Sequence, residues 1–241
     1  LKGATSHLSA HIMWGTLSVR EVNNAAYQKA HYFKETGKKK LDFSMRSFME
    51  RLRWRESFTQ RLYFHPEYGV DNWYSDFDKV YNWNLNDQQS EYLARWEAGN
   101  TGFPLVDASM RCLVKTGWLN FRMRAMLATF LSINCGVSWH FGARHFMKYL
   151  VDGDIAIDHW QWQMQAGITN PLMKTFRIYN PAKNLETKDP KLYFTHLFVP
   201  ELRGFDLKQV LAGEYINKAN YPKPMLDFRQ TRQVNGKVIS D

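Results

Sequence analysis

Nearly every apolar run in this chain recurs at helical spacing, and alternating apolar–polar runs bounded by turns are essentially missing. That pattern disfavours any sheet-based fold, because a strand needs a period of two to bury one face. Ser18-Val19-Arg20-Glu21 reads as a capping box opening a helix that runs towards Thr36-Gly37. After the charged loop Gly37–Lys40, a second helix runs from about Asp42 or Ser44 to Phe64, where His65-Pro66 stops it. Residues 66–87 are aromatic and turn-rich, without a clear period. Shorter helices fit Asp87 to Gly99, Pro104 to Gly117, Gly142–Leu150 and about Ile155–Gln165. Leu119 to Cys135, closed by Gly136, is the longest apolar-periodic stretch. The expected fold is an all-α helical bundle. Residues 1–241 are read as one helical domain, in which about 204–241 form a less regular, basic tail.

Several function classes fall away. No strand–GxGxxG–helix unit and no GxxxxGK[ST] loop occurs, so Rossmann and P-loop sites are excluded. No stretch of 18 apolar residues occurs, and the start lacks the charged-then-apolar pattern of a secretion signal. A non-membrane, non-secreted, cytoplasmic protein is expected, nucleoid-associated if bacterial. Cys112 and Cys135 form no CxxC pair and no His cluster has zinc spacing, so no structural metal is expected. The net charge of +9 favours a polyanionic partner such as nucleic acid or a phosphorylated cofactor.

Three groups of residues could carry chemistry. Thr5-Ser6-His7-Leu8-Ser9 offers hydroxyls and backbone N–H groups ahead of a helix, suited either to a phosphate or to ordinary capping. Arg122 and Arg124 are two apart and so point in different directions; a buried Arg124 would need a carboxylate, and Asp152-Gly153-Asp154 supplies two. The aromatics are abundant: nine Trp, twelve Tyr and sixteen Phe. Trp83, Trp139, Trp160 and Trp162 are scattered rather than periodic, and Trp160-Gln161-Trp162 sets two indoles on nearly opposite faces. Such rings serve as core packing, as stacking surfaces, or as an electron relay.

Taken in order, these segments resemble the flavin domain of the photolyase/cryptochrome family. The ordered set is Thr5-Ser6-x-Leu8-Ser9, Trp14-Gly15-x-Leu17-Ser18, Trp54-Arg55-Glu56, Thr101-Gly102-Phe103-Pro104-Leu105-Val106-Asp107-Ala108-x-Met110-Arg111, Thr116-Gly117-Trp118, Arg122-x-Arg124, Asp152-Gly153-Asp154, Trp160-Gln161-Trp162 and Arg177-Ile178-Tyr179-Asn180-Pro181. The match spans about residues 3–205 and lacks a counterpart of the family's N-terminal antenna domain, so the chain reads as a short or truncated member.

The resemblance implies an FAD held in a helical bundle. Thr5, Ser6, Leu8 and Ser9 match its phosphate loop, with His7 where Arg is common. Arg55 matches a basic residue near the cofactor, Arg124 and Asp152 an ion pair beside the isoalloxazine, and Asp154 a carboxylate near its pyrimidine edge. Asp158 falls opposite flavin N5, where an acid can deliver a proton. Trp160, Trp139 and Trp83 match an electron relay, inner to outer. On the DNA side, Trp54 and Trp162 match walls that stack on a flipped pyrimidine dimer, and Arg51 and Arg122 join them as lesion- or DNA-binding positions. Arg51 stands where repair enzymes carry Glu, Phe121 where they carry Asn, and Ala125 where they carry Met. The implied functions are light-driven repair of DNA pyrimidine dimers through a basic face, or a cryptochrome-like photoreceptor acting on a signalling partner. A helical nucleic-acid-binding module with a decayed flavin site is the third reading.

Overall fold

A computed structural model describes residues 5–169 and 178–240, with 236–240 described by backbone alone; Arg177, at the head of the last motif, lies outside the described residues. Among the described residues twelve α-helices follow one another: α1 Ser9–Met13, α2 Val19–Glu35, α3 Lys39–Phe64, α4 Asp87–Glu97, α5 Pro104–Thr116, α6 Phe121–Thr129, α7 Trp139–Tyr149, α8 Ile155–Gln165, α9 Pro181–Lys188, α10 Tyr193–Phe198, α11 Leu207–Ala212 and α12 Phe228–Ser240. Among the described residues there is no strand. Short 3-10 turns at Pro66–Gly69 and Ser75–Lys79 occupy the stretch whose sequence shows no period.

Local chemistry sets most of the ends. Ser18 caps α2 through the expected box: its hydroxyl accepts from Glu21 N–H, and the Glu21 carboxylate accepts from Ser18 N–H. Asn86 and Gln89 do the same for α4. Gly117 closes α5 in the left-handed conformation at φ 72°, which a Cβ would strain. Three expected bounds differ. α3 starts at Lys39, earlier than expected, without a side-chain cap. It is also the longest described helix, at 26 residues. α7 starts at Trp139, and the stretch after Asn120 is α6 joined to a π-helical turn, Phe130–Asn134.

That π turn widens the helix and loosens its carbonyls. α12 lies against it: the Asn235 amide donates to Ile133 C=O at 2.8 Å, and the Asn134 amide donates to Thr231 Oγ1 at 3.2 Å. The tail is thus partly helical, and it also closes on α5. The Asp107 carboxylate is fully buried and accepts from Thr101 N–H, Thr101 Oγ1 and Gly102 N–H at 2.6–3.0 Å, and from the Tyr221 hydroxyl. Burial pushes its pKa up while these donors pull it down.

The main core packs aliphatic side chains around large aromatic ones. Trp96, Trp139, Phe130 and Phe146 are fully buried or nearly so, with Trp162 among them. α8 packs on α3, α6 and α7. A separate, smaller cluster joins α3 to α8 through Phe58, Tyr68 and Trp160, with Trp73 against it. Gly142 on α7 marks the tightest contact: a Cβ there would collide with the Trp162 indole and with Leu131. Gly142→Ala is therefore expected to destabilise the fold by about 1–3 kcal/mol, as overpacking does. Adding Trp162→Phe should recover part of that loss, which paired denaturant titrations would measure.

Candidate functional site

The site is built on one face of α8. Asp154, Asp158, Gln161, Trp162 and Gln165 recur at helical spacing and all line a cleft of about 440 Å³. That is within the roughly 300–1,000 Å³ of small-molecule sites. The opposite wall comes from α6 and the turn before it: Trp118, Leu119, Phe121, Arg124, Ala125 and Ala128. Phe48 and Arg51 of α3, and Thr5, Ser6 and Ser9 near the start, complete it.

Two carboxylates fix this geometry. Asp152, with only 4% of its side chain exposed, takes Arg124 Nη2 on both oxygens at 2.8 and 2.9 Å. Arg124 Nε donates to Leu119 C=O at 2.8 Å, which holds the guanidinium against the cleft wall. Asp154 caps α8, one oxygen accepting from Ala156 N–H at 3.0 Å and the other taking Arg55 Nη2 at 3.3 Å. Its carboxylate is thereby committed to the helix end and to α3. Between these pairs, Asp158 is buried, and its pKa is pushed up to about 8. Burial is the main cause; Arg124 opposes it, and Asp152 and Asp154 add to it. Asp158 is thus a carboxyl that holds its proton near neutrality, the state from which it can donate.

Other expected residues fall in different places. Thr5, Ser6 and Ser9 line the cleft, while Leu8, half-buried, precedes α1 and does not. The hydroxyls do not cap α1; Ser6 Oγ accepts from Leu8 N–H at 3.4 Å, and Thr5 Oγ1 pairs with His7. His7 in turn sits 4.6 Å, centroid to centroid, from the Trp118 ring. Trp54 is exposed beside Arg51, whose guanidinium lies 4.6 Å over its ring, and Trp54 does not line the cleft. Arg122 is half-buried, also off the cleft. Trp162 is 2% exposed at the cleft's base.

Trp160 points away. It belongs to the smaller cluster, 5.0 Å from Trp73 and 5.3 Å from Tyr68. Arg61 lies 3.8 Å over its face. Trp139 and Trp83 lie on the other side of α7's first turn, linked by His140. Trp139 shares the main core with Trp162 rather than with Trp160. Helical arithmetic separates the two indoles: Trp162 is four residues on from Asp158, one turn along the same face, whereas Trp160 is two on and faces elsewhere. Gln161, a spacer between two indoles in the sequence, and Gln165 line the cleft by the same arithmetic.

The donor set suits a ligand with a polar edge. Three buried polar atoms on the α8 face, Asp158 Oδ2, Gln161 Oε1 and Trp162 Nε1, make no well-formed hydrogen bond among the described residues, although the Trp162 N–H lies close enough to the Asp158 carboxyl to pull its pKa down. Such orphans are costly unless a bound group satisfies them. Hydroxyls and two arginines stand nearby for anionic groups, and the aromatic walls suit a planar ring. These residues fit a flavin nucleotide.

Comparison with known proteins agrees with this geometry. The family profile described as the FAD binding domain of DNA photolyase matches residues 48–241. A deoxyribodipyrimidine photo-lyase of Buchnera aphidicola is 30% identical over 95% of the chain and 47% of that relative. Among solved structures, a class III photolyase from Agrobacterium tumefaciens gives a TM-score of 0.83 at 29% identity, over 99% of this chain and 50% of that one. A cryptochrome from Synechocystis gives 0.82 at 26% identity, over 97% and 48%. The chain spans about half the length of the curated relatives it matches. With that match running through the helices that build the cleft, the chain belongs to the family of FAD-binding domains of DNA photolyase.

Proposed function

We propose that the cleft holds FAD and that the chain carries out light-driven one-electron transfer, with DNA pyrimidine dimers as substrate. The observation that carries this is the α8 face: a buried Asp158 whose pKa is raised, with Gln161 Oε1 and Trp162 Nε1 beside it, set between the Arg124–Asp152 and Arg55–Asp154 pairs. When bound, FAD supplies the light absorption and the redox chemistry. The protein's part is to bind, orient and exclude water. Arg124 sets a positive charge at the cleft wall, Thr5, Ser6 and Ser9 offer hydroxyls, and Asp158 holds a proton to give. An electron lent to a dimer and returned after its ring opens leaves no net redox change. The basic balance of the chain would hold DNA phosphates, with affinity falling as salt rises.

For the relay, the resemblance implies Trp160 as the inner indole. We infer Trp162 instead, because it lines the cleft and shares a core with Trp139, while the cation over Trp160 opposes its oxidation. Trp139 is fully buried and Trp83 is 55% exposed, so Trp162, Trp139 and Trp83 would run from cleft to surface.

The photoreceptor reading has its own support at the cleft mouth. Arg51 brings a positive charge where a dimer would need a carboxylate, and the exposed Phe121 brings no amide. In that case the same electron transfer changes a surface read by a protein partner.

Three outcomes are expected. FAD-reconstituted chain should bind about one flavin and, once reduced, open dimers in an oligonucleotide under blue light. Photoreduction without repair would select the photoreceptor, and failure to bind FAD would remove both. In the same preparation Arg124→Ala should cost about 3–5 kcal/mol by stranding Asp152, with flavin content falling alongside Tm.

Trp162→Phe should abolish tryptophan-radical formation on illumination while Trp160→Phe leaves it largely intact. Transient absorption of the two variants decides, and the reverse ranking would restore Trp160 as the inner indole.

Asp158 gives a pH signature in the flavin-free chain. The folded state keeps a proton that the unfolded state releases near the ordinary 3.8, so stability should fall as pH rises towards about 8. Asp158→Asn should flatten that decline in urea titrations between pH 5 and 9, and a slope equal to wild type would show that Asp158 ionises normally.

A further inference from the structure

Between Trp139 and Trp83 lies a third ring. The His140 imidazole stacks on Trp139 at 4.0 Å between centroids, tilted 25°, and sits 4.7 Å from Trp83 at 42°. It is 7% exposed and is held from two elements. Its Nε2 lies 2.9 Å from Val70 C=O, which can only accept, so Nε2 carries the hydrogen. Its Nδ1, 2.7 Å from Ser138 Oγ, then accepts from that hydroxyl. One neutral tautomer satisfies both contacts, and both fix the plane of the ring.

We propose that His140 is a positioning residue of the electron relay, bridging Trp139 and Trp83 and letting positive charge pass between them only while its ring is neutral. This rests on the relay reading above. The step is a single electron moving from Trp83 to oxidised Trp139, restoring Trp139 and leaving Trp83 as a radical cation. The first electron would pass from Trp162 to a bound, photoexcited flavin, which would supply the oxidant. No bond of His140 forms or breaks. Trp83, being exposed, then loses its indole N–H proton to water. Trp139 cannot do the same: its N–H donates to Asn72 Oδ1 at 2.8 Å, and an amide oxygen is a poor proton acceptor. The charge therefore stays mobile at Trp139 until it crosses to Trp83.

The charged groups facing His140 decide when it is neutral. Burial lowers its pKa, as does His159 across the Trp139 ring; the Val70 hydrogen bond and the carboxylates of Asp71 and Asp78 raise it. Arg144 stands 6.0 Å from the Trp83 ring, so the radical cation there is driven to shed its proton. The ring is neutral at physiological pH and charged only in acid, where a cation between the two indoles opposes oxidation of either.

The test uses FAD-loaded chain, flash-excited, with the long-lived Trp83 radical followed by transient absorption from pH 5 to 8. Wild type should lose radical yield as the pH falls. His140→Phe keeps a ring between the indoles but cannot titrate; its yield should stay high and flat with pH. His140→Leu should lose most of the long-lived radical at every pH while retaining flavin and a Tm like that of His140→Phe, which loses the same two hydrogen bonds. Proton NMR of flavin-free protein adds a readout independent of photochemistry: the His140 ring protons should lie upfield, titrate below ordinary imidazole, and move in Trp83→Phe. Equal yields in wild type and His140→Leu, with a flat wild-type profile, would overturn the bridge and leave the relay standing. No tryptophan radical in flavin-loaded wild type would overturn the relay and the bridge with it.

Discussion

Two carboxylates separated by one glycine hold the architecture together. Asp152 reaches to α6 through Arg124, and Asp154 reaches to α3 through Arg55 while capping α8. A buried carboxylate is tolerated only when its lone pairs are filled, so these partners are compulsory rather than optional. Because one residue both ties α3 and starts α8, the register of α8 is set where its cap is set. Every cleft residue of that helix then follows at a spacing of three or four. Asp158 is the exception between the pairs. Burial, helped by the two anions beside it and opposed by Arg124, keeps its carboxyl protonated.

The aromatic content divides along the same helix. One side of α8 feeds Trp162 into the main core, against Gly142 and Phe146, and the other feeds Trp160 into the smaller cluster with Trp73 and Arg61. The same amino acid thus has two electrostatic settings two residues apart. One indole lines the cleft beside the Asp158 carboxyl; the other lies beneath a guanidinium. A cation over an indole stabilises the neutral ring and makes an electron harder to remove from it. Packing alone would not separate their roles; charge does.

Much of the fold was legible because helix ends are local. The Ser18–Glu21 box, the Gly117 stop and the limits of α8 each follow from two or three neighbouring residues. What was not legible depends on distant partners. α7 begins ahead of its expected start although Ser138 makes no cap bond, since that hydroxyl is engaged with His140. The order of the tail comes from Tyr221 reaching Asp107, more than a hundred residues away in sequence. The candidate site shows the same division. Arg124, Asp152 and Asp154 were found as a charge-balance problem and are paired as such, with Asp154 joined to Arg55. The resemblance implies a lesion-pocket wall for Trp162, and the structure sets it at the cleft's base, one helical turn on from Asp158. His140 carried no signal, because its significance lies in two rings brought to it from different segments.

The π turn at Phe130–Asn134 has a consequence for how such a chain can change length over evolutionary time. A π segment holds one more residue than the α-helical path it replaces. Here the surplus sits downstream of Arg124 and upstream of Trp139, and its loosened backbone is clasped by Asn235. Insertions and deletions in a lineage can therefore be absorbed at this turn while Arg124 keeps its register on Asp152. The cost falls on the other side, where one residue more or less would rotate the start of α7 and separate Trp139 and His140 from Trp83. The Arg124–Asp152 pairing and the Trp139–His140–Trp83 stack are thus exposed to different mutational hazards, and one could be lost in descent while the other persists.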